Sequence, residues 1–369
     1  MALTGSMGAG IAGMKAYMDA LNVVGNNVAN VNTYGYKPGR VTFRESIYNT
    51  QTAGSDGTDT VGGTNPSQIG YGASIGTIDL DMTTQGLEST GMPSDAAIVG
   101  DGFYLLGDKT GVDVDNLESL SLSRVGDFKF DQDGYLTDGA GNIVYGFVTC
   151  NATVAADGTV TQQNKAGPDG NGISTQLVPI RLPLAAAEDG PGDPPAYKIG
   201  DPIFPGVDGN GFNTKVDEDG EIDGIPTNGC IGKENVTIDK NGKITCTSSN
   251  GDPVVVGYIA LATVPNPNGL THTDGPYYKA EGGAGDITVT TAGSAVKGFL
   301  NNKTDEKDGT QKLPEGTGTL LMSGFLEQSG TDLATEFANM IIYQRGYQAN
   351  TRIVTVTDTM LEELINMKR

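Results

Sequence analysis

The chain has 369 residues, with 55 glycines, 17 prolines and no tryptophan, and its 45 acidic against 23 basic side chains give a net charge of −22. That length accommodates two or three domains with cores of their own, and the glycine-rich composition points to many short strands joined by tight turns rather than to a helical bundle. So negative a chain speaks against a nucleic-acid partner, whose affinity comes from clustered Lys and Arg, and against an anionic membrane surface.

The chain opens "MALTGSMGAGIAGMKAY", with no basic residue before Lys15 and no long apolar run. Neither a secretory signal peptide nor, anywhere in the sequence, a run of 18 apolar residues able to span a bilayer is expected. Apolar residues at Leu3, Met7, Ile11, Met14, Met18, Leu21, Val24 and Val28 recur at spacings of three and four, which predicts one helix with one adhesive stripe. Gly5, Gly8, Gly10 and Gly13 lie inside it, each costing about 1 kcal/mol relative to alanine, so this helix is poor alone. Gly5, Ala9 and Gly13, four apart, let a partner backbone approach closely.

The stretch "GNNVANVNTYGYKPGR" follows. Its asparagines, among them Asn27, Asn30 and Asn32, can satisfy backbone groups at the helix end, while Gly35 and Pro38 force the chain out of the helix. Residues 49–66 are poor in apolar side chains and read as a linker or extended arm. The pattern then changes to period two in "GTIDLDM", "GDGFYLL", "VGDFKFDQDGYLTDGAGNIVYGF" and "VTIDKNGKITCTSSNGDPVVVGYIALATV", which predicts hairpins. Asp133-Gly134, Asp138-Gly139, Asn241-Gly242 and Asn250-Gly251 stand where two-residue hairpin loops want positive φ.

From about residue 151 to 229 the chain is rich in Gly, Pro and Asp and reads as an insertion between two parts of one β domain. Glu188 to Asp223 holds ten acidic side chains against Lys198 and Lys215, whereas residues 1–36 carry only Lys15 and Asp19. The ends are nearly neutral and the middle is solvated. The C-terminal stretch, capped by Thr331 or Asp332, has apolar residues at Leu333, Phe337, Met340, Ile341, Tyr347, Val354, Leu361 and Leu364 and predicts a second helix about 55 Å long. Its segment "TRIVTVTDT" is packed with β-branched residues, so this helix too is unwilling in isolation.

Residues suggestive of catalysis lack their context. "GASIG" puts Ser74 in a hydrolase-elbow pattern, but an alternating strand follows it instead of a helix, and the only histidine, His272, lies in a turn-like stretch. In "DQDGYL" the fifth and sixth positions of a calcium loop are Tyr135 and Leu136, and from Asp217 the sixth is Ile222, where glycine is required. "GDGF" lacks the third glycine of a dinucleotide fingerprint. Cys150, Cys230 and Cys246 have no C-x-x-C spacing and read as buried or idle thiols. No catalytic residue, cofactor or metal is expected.

Both ends together resemble the flagellar axial family of bacteria, the rod and hook proteins, and its hook branch in particular. The resemblance rests on Asn26, Asn27, Ala29, Asn30, Asn32, Thr33, Gly35, Lys37 and Arg40 near one end, and on Gln344, Arg345, Tyr347, Asn350, Asp358, Met360 and Leu361 near the other. Internal stretches such as "QGLESTGMPSDAAIVGDGFYLL" and "ALATVPNPNGL" are similar to the middle domain of that family. Gly346 stands where alanine is usual, a departure expected to matter little.

The expected architecture is mainly β with long terminal α-helices. Residues 1–35 and 326–369 form a coiled-coil-like inner domain, 36–70 a linker or arm, 71–150 and 230–325 an antiparallel β middle domain, and 151–229 an inserted outer β-rich domain. The resemblance implies a structural, non-catalytic subunit of the flexible tube that transmits motor torque to the filament. Its implied partners are copies of itself in a helical homopolymer, a distal rod protein, a hook-filament junction protein, a hook cap and the flagellar export apparatus, with no nucleic acid and no membrane insertion. The implied location is the extracellular hook and basal-body region of the flagellum. A distal rod protein is the alternative within the family, and a secreted β-rich adhesin or enzyme the alternative outside it.

Overall fold

Strands in the middle and a long helix at each end give two kinds of packing within one chain. The computed structural model describes residues 2–57, 62–109, 114–148, 151–154, 160–163, 177–185, 202–203, 230–233, 235–247, 251, 253–294 and 318–367. They fall into two compact units, Met1–Met82 with Ser329–Arg369, and Thr83–Gln328.

The first unit pairs α1 (Ala2–Ala29) with α2 (Leu333–Met367), both continuous. Asp332 is the cap of α2: its Oδ1 accepts the Ala334 N–H at 3.0 Å and its Oδ2 the Thr335 hydroxyl at 2.6 Å. The β-branched segment is helical, with its hydroxyls bonded back to the preceding turn, Thr351 to the Tyr347 carbonyl at 2.9 Å and Thr357 to that of Ile353 at 2.9 Å. After α1 come β1 (Gly39–Glu45), β2 (Tyr48–Thr52), β3 (Ser67–Gly70) and β4 (Ala73–Leu80). β1 pairs antiparallel with β4, and β2 with β3. The arm expected at 49–66 is therefore framed by a hairpin, which a bridge between Ser55 and Thr64 extends.

The second unit begins with β5 (Leu87–Ser89), β6 (Ala96–Val99), β7 (Phe103–Gly107) and β8 (Ser121–Ser123), then β9 (Lys129–Phe130), β10 (Leu136–Thr137) and β11 (Ile143–Val148). Within the expected insertion lie a hairpin of β12 (Asn151–Val154) and β13 (Val160–Gln163), then β14 (Val178–Pro179), β15 (Leu184–Ala185) and β16 (Pro202–Ile203). The chain returns through β17 (Thr237–Ile238), β18 (Lys243–Thr247), β19 (Pro253–Thr263), β20 (Leu270–His272), β21 (Tyr277–Ala280), β22 (Thr288–Thr291), β23 (Leu320–Ser323) and β24 (Phe325–Glu327).

Twelve of these strands form one antiparallel sheet whose main path runs β17-β18-β19-β11-β7-β8-β21-β20. Its core is Ile98, Tyr104, Leu106, Phe128, Leu136, Val144, Ile244, Ile259 and Leu261, all fully buried. Val178, Ile180 and Leu182 join that same core, and β14 pairs with β11. Residues 177–185 thus pack with the middle domain although the sequence reads them as part of the insertion, because their alternating apolar side chains complete its sheet.

Three expected turns carry left-handed glycines, Gly134, Gly242 and Gly251. At Asp138-Gly139 the left-handed residue is instead Gly141, at φ 92°. The Asp138 carboxylate accepts the N–H groups of Ala140 and Asn142 and widens the loop to three residues, the left-handed position falling last. Where the chain leaves this unit, Arg124 and Glu327 form a buried ion pair, Nε to Oε2 at 3.5 Å. The guanidinium also donates to the carbonyls of Gly100 and Gly102, and the carboxylate accepts the Gln85 N–H.

Candidate functional site

The helix pair is antiparallel: Gly10 faces Val354, Gly13 faces Asn350, Met14 meets Thr351, and Asn27 bonds Glu336. The stripe that α1 buries is Gly10, Gly13, Ala16, Ala20, Val24 and Asn27, the first four of them glycine or alanine. A Cβ on Gly13 would lie 2.8 Å from the Asn350 Nδ2, and one on Gly10 3.2 Å from a Val354 methyl. Glycine at these positions leaves room for the Asn350 amide and the Val354 methyl of α2, a packing return for its poor helix propensity. Of the series Gly5, Ala9 and Gly13, only Gly13 serves this contact; Gly5 has open space around it.

Asn27 closes the far end of the pair. Its Nδ2 donates to the Gly39 carbonyl and to Glu336 Oε1, both at 2.9 Å. Its Oδ1 accepts the Gly39 N–H and the Tyr36 hydroxyl, both at 3.0 Å. All four hydrogen-bonding positions of the amide are used. Burial first, and then the charge of Glu336, hold the Tyr36 phenol above the usual tyrosine range, so it remains a donor. Asn30 donates to the Asn26 carbonyl and accepts from Thr33, Asn32 is exposed, and Gly35 is buried at φ 68°, where the chain turns out of the helix. These contacts account for the asparagine-rich stretch: one amide locks three segments and another caps the helix.

At mid-height the rings of Tyr17, Phe43 and Tyr343 lie 5.5–6.2 Å apart in pairs. Gly346 makes room for the first, since a Cβ there would stand 2.6 Å from the Tyr17 ring. The departure at Gly346, expected to matter little, is therefore a packing feature. The hydrophobic seam reading missed this cluster because its members come from two helices and a strand.

The structure divides the remaining sequence-singled residues. Met7, Ile11, Met14, Leu21, Met340, Asn350 and Leu361 are half-buried, while Leu333, Phe337, Gln344, Arg345 and Tyr347 are exposed. Leu3 lies in α1, its side chain outside the described residues. A second stripe runs along α2 beside the face on α1, comprising Ile341, Ile342, Ile353, Val356, Met360 and Leu364, with Ile353 at its edge within reach of Gly10 and Ile365 exposed at the helix end. Ile342 is 60 % and Ile365 67 % exposed. Reading α2 as one stripe merged these two faces, although counting apolar residues on each side of the helix separates them.

Elsewhere, Ser74 sits within β4 with its Oγ 3.2 Å from Arg44 Nε. Cys230 and Cys246 are free thiols whose burial raises them, Cys246 to about 11; Cys150 lies outside the described residues. No group of three or more His, Cys, Asp or Glu able to hold a metal ion occurs among the described residues, and none of the described helices is long and apolar enough to cross a membrane.

The two helical ends are where known families match. A family model described as flagella basal body rod protein matches residues 7–37, and one described as flagellar basal body rod FlgEFG protein C-terminal matches residues 322–367. The chain is 30% identical over 364 residues to the flagellar basal-body rod protein FlgG of Bacillus subtilis, covering 99% of each. It is 26% identical over 467 residues to the flagellar hook protein FlgE of Borreliella burgdorferi, covering 98% of this chain and 99% of that one. With the flagellar hook protein FlgE of Salmonella typhimurium the identity is 24% over 446 residues, covering 97% and 98%.

Proposed function

The chain belongs to the family of bacterial flagellar rod and hook proteins, and from that membership we propose that it is the structural subunit of the flagellar hook. The observation that carries this reading is the unfinished burial of the helical unit: α2 packs one face on α1 and leaves a second apolar stripe in water. Exposed apolar surface of this extent on a soluble chain calls for a partner, and copies of the chain supply one. The helices then line a tube, and the net charge of −22 keeps the rest of the subunit solvated.

In this reading the protein performs no catalysis. It transmits motor torque as a flexible joint, leaves the cell unfolded through the flagellar export apparatus, and stands in the extracellular hook. There it meets a distal rod protein at one end and a hook-filament junction protein and hook cap at the other. The rod role is the second reading, favoured by the FlgG relative at 30% identity. Electron microscopy of the polymer formed by the purified full-length chain separates the two: curved tubes mean hook, straight rigid shafts mean rod. A chain that stays monomeric at every concentration would sink both.

A further inference from the structure

Beyond Glu336, the described part of α2 carries Arg345, Arg352, Asp358, Glu362 and Glu363. All five are exposed, and none makes an ion pair to a described residue. The cations stand mid-helix and the anions near the end of the described helix.

Spacing relates these charges to the exposed stripe. Ile342, Ile353 and Leu364 recur every eleven residues, as do Arg352 and Glu363. Eleven residues are close to three helical turns, so each set stays on one side of the helix. Arg352 and Glu363 each immediately precede an apolar residue of the stripe, the flanking place at which charges set partner and register between packed helices.

We infer that this pattern is a register key for a second copy of the chain. Two parallel α2 helices displaced by eleven residues, about 16 Å along the axis, put Ile342 of one level with Ile353 of the next. The same shift sets Ile353 level with Leu364, and Arg352 beside Glu363 of the neighbour. With no shift, Arg352 faces Arg352 and Glu363 faces Glu363, so like charges penalise the unstaggered contact. The apolar stripe supplies cohesion and the two charges supply the axial step. This inference rests on the polymer reading above and adds the register to it.

The test is charge exchange, read as the critical concentration for sedimentable polymer of the full-length chain. Arg352→Glu and Glu363→Arg should each raise it about tenfold, and the double exchange, in which every neighbour is reversed together, should return it to within about twofold of the parent. Circular dichroism of the monomers checks that the exposed substitutions leave the helices intact. An Arg352→Glu chain that polymerises like the parent, or a double exchange as defective as the single ones, overturns the key while leaving the polymer reading in place. A parent chain that never polymerises removes both.

Discussion

In the β unit the largest side chains of the core, Tyr104, Phe128, Tyr145 and Phe147, are wholly enclosed, whereas along α2 the largest apolar side chains lie mostly open to water. One unit completes its burial within the chain and the other does not. The difference follows from what each surface meets: strands that alternate can close on one another, while two helices meeting through Gly10, Gly13 and Gly346 use one stripe each and leave the remainder over.

The largest expected effect tests the closed half. Phe128→Ala removes a ring that packs edge-on against Tyr104 at 4.8 Å and should cost about 3–5 kcal/mol. Hydrogen exchange should show protection lost across β7, β11 and β19 and unchanged in α1. Equal loss in both units would erase the distinction between them.

Alkali should find the same unit. Burial, followed by the hydrogen bond to Asp138, pushes the Tyr277 phenol up to about 12, and burial also raises Tyr104 and Tyr145. A raised folded value means that the folded state holds the proton more tightly than the unfolded one. That stability is fully present below the unfolded value near 10 and is lost as pH climbs from 10 through about 12. Since the chain has no tryptophan, tyrosinate absorbance near 295 nm reports this directly. Ionisation of the enclosed tyrosines should coincide with loss of β structure. A gradual titration around 10 with the sheet intact would contradict their burial.

How much of this was legible in the sequence follows the same divide. The period-two strands and the glycines of three turns were visible because they are local, and both terminal helices showed in their three-and-four spacing. The return of Val178, Ile180 and Leu182 to the core was not, since a short strand inside an acidic, glycine-rich stretch declares its partner only through long-range pairing with β11. At the helix pair, Asn27 stood out by its setting, but its link to Glu336 spans 309 positions of sequence. The slot at Gly346 needs Tyr17 in place before it has any meaning.

Two substitutions sharpen the comparison at the seam of the helical unit. Asn27→Ala leaves the Gly39 amide and carbonyl, the Tyr36 hydroxyl and a Glu336 oxygen without this partner, and should cost about 2–3 kcal/mol. Exchange at the Gly39 amide should accelerate with it. Gly346→Ala drives a methyl into the Tyr17 ring and should cost about 1–2 kcal/mol, with the near-ultraviolet dichroism of the Tyr17, Phe43 and Tyr343 cluster altered. An unchanged spectrum would mean that the ring yields freely and that glycine is not required at this position.

The smallest effect on the monomer is expected at Ile365. In the free chain this side chain is 67 % exposed, so Ile365→Ala removes little burial and gains slightly in helix propensity. Monomer stability should stay within about 0.5 kcal/mol of the parent in a urea titration. In the proposed polymer a neighbour would cover this side chain, and losing about 2 kcal/mol of burial there should raise the critical concentration more than tenfold. A cost to the monomer approaching that of Phe128→Ala would mean that Ile365 is already enclosed within its own chain. The end of α2 would then be core, and the contrast between a finished and an unfinished unit would fail there.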